Sequence, residues 1–154
     1  MRIASLMLFE SDVHSLGLDR MKDIYTTAAF YWDTDDNTRS FASRFREKMG
    51  RPPSALQAGV YSSITHYLKA VKAAGSTSGP DVAKKMHELP ISDLTTPLAK
   101  IRADGRVMRD MFLVQVKSPE ESKAPWDYFK IVRRMKAEEL MPDAPNSDCK
   151  LATQ

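Results

Sequence analysis

The chain has 154 residues and a mass of 17.4 kDa, one ordinary domain by length and enough to bury a sizeable core. Hydrophobic residues make up 42% and charged residues 28%, a globular composition that excludes disorder as the general state. Lys and Arg total 23 against 20 Asp and Glu, with the signs mixed along the chain, which is far from a nucleic-acid footprint and implies no nucleic-acid partner.

Residues 3–9, from Ile3 to Phe9, form a short apolar run without polar alternation. This predicts a strand buried on both faces of a parallel sheet. The run is too short for a membrane span, which takes roughly 18–20 residues. One Arg before it and acidic Glu10 and Asp12 after it fit a signal peptide poorly. Residues 10–15 read as a loop, and Leu16, Met21 and Ile24 suit a short helix. Residues 26–32 are β-branched and aromatic, a second strand. The resulting βαβ order puts the loop at residues 11–15 where ligands meet an open sheet, beyond the carboxyl end of a strand.

Asp33 to Asn37 supply turn and capping residues for a helix over 38–49, with Phe41, Phe45 and Met49 at four-residue spacing and Gly50, Pro52 and Pro53 as its stop. Ser54 caps a second helix, on which Leu56, Val60, Ile64, Tyr67, Leu68 and Val71 form an apolar stripe that Gly75 ends. Pro80 opens a shorter helix carrying Val82, Met86 and Leu89. Ile101, the Asp104-Gly105 turn and residues 111–116 predict a hairpin. Residues 126–132 predict a last strand, and residues 142–154, which include the single Cys149, a loose tail.

Few residues carry a recognisable chemistry. Asp12 and His14 stand two apart in the loop, an acceptor beside a switchable donor; the pattern fits a polar ligand contact, a catalytic pair or a solvated loop. Phe30, Tyr31 and Trp32 offer either a stacking surface or a buried strand end. Strand alternation puts Phe30 and Trp32 on one side and Tyr31 on the other unless the chain bends there. Tyr61 borders the apolar stripe, either half-buried or projecting into a cleft. His66 falls opposite the stripe by the helical rotation of about 100° per residue and reads as solvated, and His87 reads as surface. The three histidines make no zinc pattern, and none of the six glycines belongs to a phosphate-binding loop. No cofactor is expected. The absence of a GxSxG nucleophile elbow speaks against a hydrolase.

Four segments taken in order are more specific: residues 9–17 (Phe-Glu-Ser-Asp-Val-His-Ser-Leu-Gly), 29–33 (Ala-Phe-Tyr-Trp-Asp), 57–62 running on to 69–75, and 100–106 (Lys-Ile-Arg-Ala-Asp-Gly-Arg). Over residues 3–134 the chain resembles the carboxyl-terminal part of ABC-importer substrate-binding proteins of the leucine/isoleucine/valine-binding, type I periplasmic class. The resemblance implies an α/β fold, a partial type I periplasmic-binding-protein fold with pieces of two Rossmann-like lobes joined by crossing strands. Residues 1–141 would be the carboxyl-terminal portion of such a domain. The chain would cross between lobes near Trp32 and return after Gly105.

The same resemblance implies a non-enzymatic receptor for a small-molecule ligand, an amino acid or an aromatic or other organic acid. Asp12, His14, Tyr31, Trp32 and Tyr61 match its ligand-facing positions. The implied partners are an ABC permease in the membrane and the missing amino-terminal portion of the same protein; the implied location is the periplasm. A ligand-sensing regulatory domain of the same fold is the alternative. Such proteins are considerably longer, so the chain reads as a fragment whose strands at 3–9 and 26–32 lose neighbours and expose sheet edges.

Overall fold

The computed structural model describes residues 3–141. The elements in order are α1 (Glu10–Leu16), α2 (Leu18–Met21), β1 (Tyr25–Ala28), α3 (Asp36–Met49), α4 (Ala55–Ala74), α5 (Gly79–Glu88), β2 (Lys100–Ile101), β3 (Val107–Met108), β4 (Met111–Val116), β5 (Phe129–Met135) and α6 (Ala137–Leu140). They form two compact units, one of Met1–Ala58 with Asp110–Met135, the other of Gly59–Arg109 with Lys136–Gln154. The predicted tail at 142–154, with Cys149, lies outside the described residues.

The first unit is built on an antiparallel sheet in the order β1-β4-β5. Tyr25 faces Gln115 and Ala28 faces Phe112, while the register shifts between Leu113 and Val114, where β5 carries one extra residue, Val132. Alternation along β4 turns Val114 and Val116 into the core, where they meet Val13, Tyr31 and Phe129. The strand predicted at 3–9 is reduced to one parallel bridge, Ala4 to Tyr25. The βαβ direction survives, but Ile3, Leu6 and Met7 are exposed, because the described residues put no further strand beside them.

The predicted loop at 10–15 is instead the helix α1. Phe9 N–H donates to Asp12 Oδ2 (2.8 Å), which closes the first turn from the side-chain end. Asp12 also places negative charge at the positive end of the helix. Gly17, at φ 86°, ends it. Helix α3 forms as its pattern predicts: Asp35 Oδ1 accepts from Thr38 N–H (2.8 Å), and Gly50 takes the left-handed conformation at the other end.

Helix α4, most of which belongs to the second unit, turns its apolar stripe outward. Leu56, Val60, Ile64, Tyr67 and Leu68 are exposed. The opposite face, with Ser62, His66 and Ala70, is the buried one. His66 is therefore not solvated as predicted: it is 3% exposed, with Nε2 2.9 Å from the Met86 carbonyl oxygen. Its angular position was legible, but the residues packing on α4 in this chain choose the small and polar face. Ser62 Oγ donates to Asp93 Oδ2 (2.6 Å), whose other oxygen accepts from the Thr95 and Thr96 amides at 2.8 and 2.9 Å. His87 is exposed, as predicted.

The hairpin around Gly105 (φ 83°) pairs Lys100 with Met108 and Ile101 with Val107. Residues 111–116, predicted as its second strand, are β4 of the other sheet. Two residues beyond the turn are enough to close the hairpin, which leaves β4 to pair with β1 and β5.

Candidate functional site

Aromatic and polar side chains of the first unit converge where α1, the segment after β1 and the turn before β5 meet. Strand β1 ends at Ala28, so alternation stops before Tyr31 and Trp32, and both rings join one cluster, 5.7 Å apart and tilted by 53°. The bend that the sequence left open is present. Tyr31 is only 3% exposed; its hydroxyl donates to Asp127 Oδ1 (3.2 Å) and accepts from Phe129 N–H (3.4 Å). Burial, then the carboxylate of Asp127, push the phenol far above the usual tyrosine range.

The turn before β5 is the centre of the cluster. Asp127 N–H donates to the Ala124 carbonyl (3.1 Å), closing a four-residue turn with Pro125 and Trp126 at its middle positions. Proline suits the first of these. The second requires positive φ in a type II turn, a place usually given to glycine. Trp126 holds it at φ 72°. The carbonyl of Trp126 accepts from Trp32 Nε1–H (3.0 Å), and Arg46 lies over the Trp32 ring, 5.3 Å from its centroid.

Asp127 is tied down on both oxygens: Oδ1 pairs with Lys117 Nζ and Oδ2 accepts from Lys123 N–H (3.0 Å). Burial pushes its pKa upward, but the Lys117 bond, the Lys123 amide and the Tyr31 hydroxyl outweigh that and hold the carboxyl below its ordinary value.

His14 completes the cluster. Its ring lies flat on Trp126, with centroids 4.2 Å apart at 11°, and Nδ1 is 2.7 Å from the Tyr128 hydroxyl. The rings of Trp126 and Tyr128 stand 5.8 Å apart. Asp12 does not join His14. On a helix, positions two apart point about 200° from each other, and Asp12 accepts from Phe9 N–H at the first turn. Tyr61 lies half-buried on α4, in the other unit.

The structure thus brings His14, Tyr31 and Trp32 into one cluster and leaves Asp12 and Tyr61 apart from it. Trp126, Asp127 and Tyr128 were missed, having been absorbed into the strand predicted at 126–132, and Lys117, just beyond the strand predicted at 111–116, was not singled out. The Pro125-Trp126 pair was the available signal for a turn. Glu10 was missed as well: it is 5% exposed and its carboxyl is raised to about 7, chiefly by burial, against the pull of Arg51. Among the described residues no group of His, Cys, Asp and Glu is arranged to hold a metal ion, and no helix is long and apolar enough to cross a membrane.

Comparison with known proteins defines the class. A family model described as periplasmic binding protein matches residues 1–123; the chain belongs to this family, which is a class of solute-binding proteins rather than of enzymes. Among solved structures it is similar to a periplasmic binding protein from Burkholderia mallei, at 42% identity and a TM-score of 0.93, covering 98% of this chain and 40% of that one. It is also similar to a branched chain amino acid ABC transporter periplasmic ligand-binding protein from Burkholderia xenovorans LB400, at 40% identity and a TM-score of 0.84 over 88% of this chain and 36% of that one. A solute binding protein of an ABC transporter from Rhodopseudomonas palustris BisB5, solved with 3,4-dihydroxy benzoic acid, shares the fold at 16% identity and a TM-score of 0.63, over 78% and 34% of the two chains. The chain therefore spans about 40% of the length of the first of these structures, and its α/β fold is part of the type I periplasmic-binding-protein fold. No curated protein matches it.

Proposed function

We propose that this chain is part of the solute-binding component of an ABC importer, a non-enzymatic receptor that takes a small organic molecule such as an amino acid or an aromatic or other organic acid. The observation that carries the reading is the 42% identity to a periplasmic binding protein across 98% of the chain. It is reinforced by the branched-chain amino acid importer component at 40% identity. The receptor works in the periplasm and hands its ligand to a membrane permease. The ligand-sensing alternative finds no support among these relatives.

In this reading His14, Tyr31 and Trp32 serve the ligand site from one cluster, with Asp12 and Tyr61 contributing from elsewhere in the chain. A remaining portion of a relative-length polypeptide supplies the rest of the cleft. Both the 40% coverage and the exposed apolar stripe of α4 support that portion as a partner, since a stripe of this size on a soluble protein marks a surface meant to be covered.

A receptor of this kind closes because ligand binds one state better than the other. The test is to titrate branched-chain amino acids and aromatic acids into the polypeptide completed to the length of its relatives, following affinity by calorimetry and compaction by small-angle scattering. Saturable binding with a smaller radius of gyration is expected. A chain that binds none of them, or that turns one over chemically, overturns the reading.

A further inference from the structure

We infer that the ring ladder Tyr128, Trp126, His14 is a ligand-facing wall that selects solutes carrying a flat conjugated ring; this rests on the solute-receptor reading and narrows its substrate class. The starting point is Trp126. A bulky residue at φ 72° is strained, and such strain persists only where the surroundings over-determine it. Here they do. The Asp127 N–H to Ala124 bond closes the turn, the Lys117 pair and the Lys123 amide fix Asp127, and Trp32 Nε1–H holds the Trp126 carbonyl.

None of those bonds uses the indole. Each is made by a backbone group of residue 126 or by a neighbour, and glycine would satisfy the turn without strain. What tryptophan adds is its ring, and the ring goes into a stack rather than into the hydrophobic core of this unit, whose buried members are Val13, Tyr31, Val114, Val116 and Phe129. Trp126 and Tyr128 are half-buried and His14 is exposed, so the ladder begins at the protein and ends in solvent. The Trp126 ring covers one face of the imidazole at 4.2 Å; a further flat ring continues the ladder on the face turned away from it.

The hydrogen bond between His14 Nδ1 and the Tyr128 hydroxyl (2.7 Å) fixes the plane of that outer ring. A preorganised ring costs little further entropy on binding, because two rotors are already held. An aromatic contact of this kind is worth roughly 2- to 10-fold in affinity over an aliphatic group of equal area.

The test uses the polypeptide completed to the length of its relatives, labelled with nitrogen-15, and three probes: benzoate, cyclohexanecarboxylate, which has the same charge and similar size but a puckered ring, and leucine. Benzoate is expected to shift the Trp126 indole N–H and the amides of residues 14 and 126–128, and to bind roughly 2- to 10-fold tighter than cyclohexanecarboxylate. His14→Ala, an exposed position where folding is not at stake, is expected to erase that preference, and Trp126→Gly to do the same. Equal affinity for the two acids, shifts confined to other residues, or a preference unchanged in His14→Ala overturns the inference. Saturable leucine binding without benzoate binding overturns it while leaving the receptor reading intact. If no probe gives a saturable shift, both fall.

Discussion

The turn at Trp126 and the helix α4 use their apolar side chains in opposite ways. Around Trp126, rings and aliphatic groups bury one another within one unit, and the polar atoms among them are matched: Tyr31 with Asp127, Asp127 with Lys117, Trp32 with a carbonyl. On α4 the apolar stripe faces solvent and the buried side is made of Ser62, His66 and Ala70. The first region has its polar atoms matched within the chain, whereas the second has its polar side satisfied and its apolar side unused. Hydrophobicity of a side chain therefore fails to indicate burial unless the surface it packs against is part of the same chain.

The largest expected effect is at the matched region. Asp127→Ala leaves Lys117 uncompensated in a place where both side chains are largely shielded, 17% and 8% exposed, and should cost about 3–5 kcal/mol in urea unfolding. Because the folded carboxyl lies below its ordinary value, its stabilisation is fully present above the unfolded pKa. In the parent chain it should fade as the pH drops below about 4. A loss under about 1 kcal/mol would mean that the network is dispensable.

Glu10 works in the other direction. With its carboxyl raised to about 7 by burial, the folded state holds a proton that the unfolded state has released, so stability declines as pH rises from about 4.5 to 7. Glu10→Gln should be more stable than the parent by up to about 3 kcal/mol at pH 8, and indistinguishable from it near pH 4. Equal stability of the two at pH 8 would place Glu10 in a better-solvated setting than its 5% exposure implies.

On α4 the comparison is sharpened by substituting each face. His66→Ala removes the group facing the Met86 carbonyl and should cost about 1–3 kcal/mol. Ile64→Ser and Leu68→Ser, both on the stripe, should change thermal stability by less than about 0.5 kcal/mol. A loss of several kcal/mol from either serine would mean that the stripe is covered in solution, and its concentration dependence would then identify a second copy as the cover.

Much of this was legible from residue patterns. Asp35 and Gly50 bracket α3, Ser54 precedes α4, and Gly105 marks the hairpin, because caps and turns depend on the chemistry of a few adjacent residues. The family was legible too, since four ordered segments preserve its pattern over most of the chain. What could not be read depends on distant partners. Residues 3–9 needed neighbouring strands to become more than one bridge, and α4 needed a packing surface to decide which side turns inward. The site was half legible. His14, Tyr31 and Trp32 stood out by type, but the residues that unite them lie about a hundred positions away, around a tryptophan in a conformation that its side chain disfavours.

That tryptophan also has an optical consequence. Of the two tryptophans, Trp126 is the one whose indole lies flat against an imidazole, and an imidazole in van der Waals contact with an excited indole quenches its emission. Unfolding, which separates the two rings, should therefore raise the emission of Trp126. The protein thus carries its own reporter: without any added dye, the brightness of Trp126 follows whether the turn before β5 is intact.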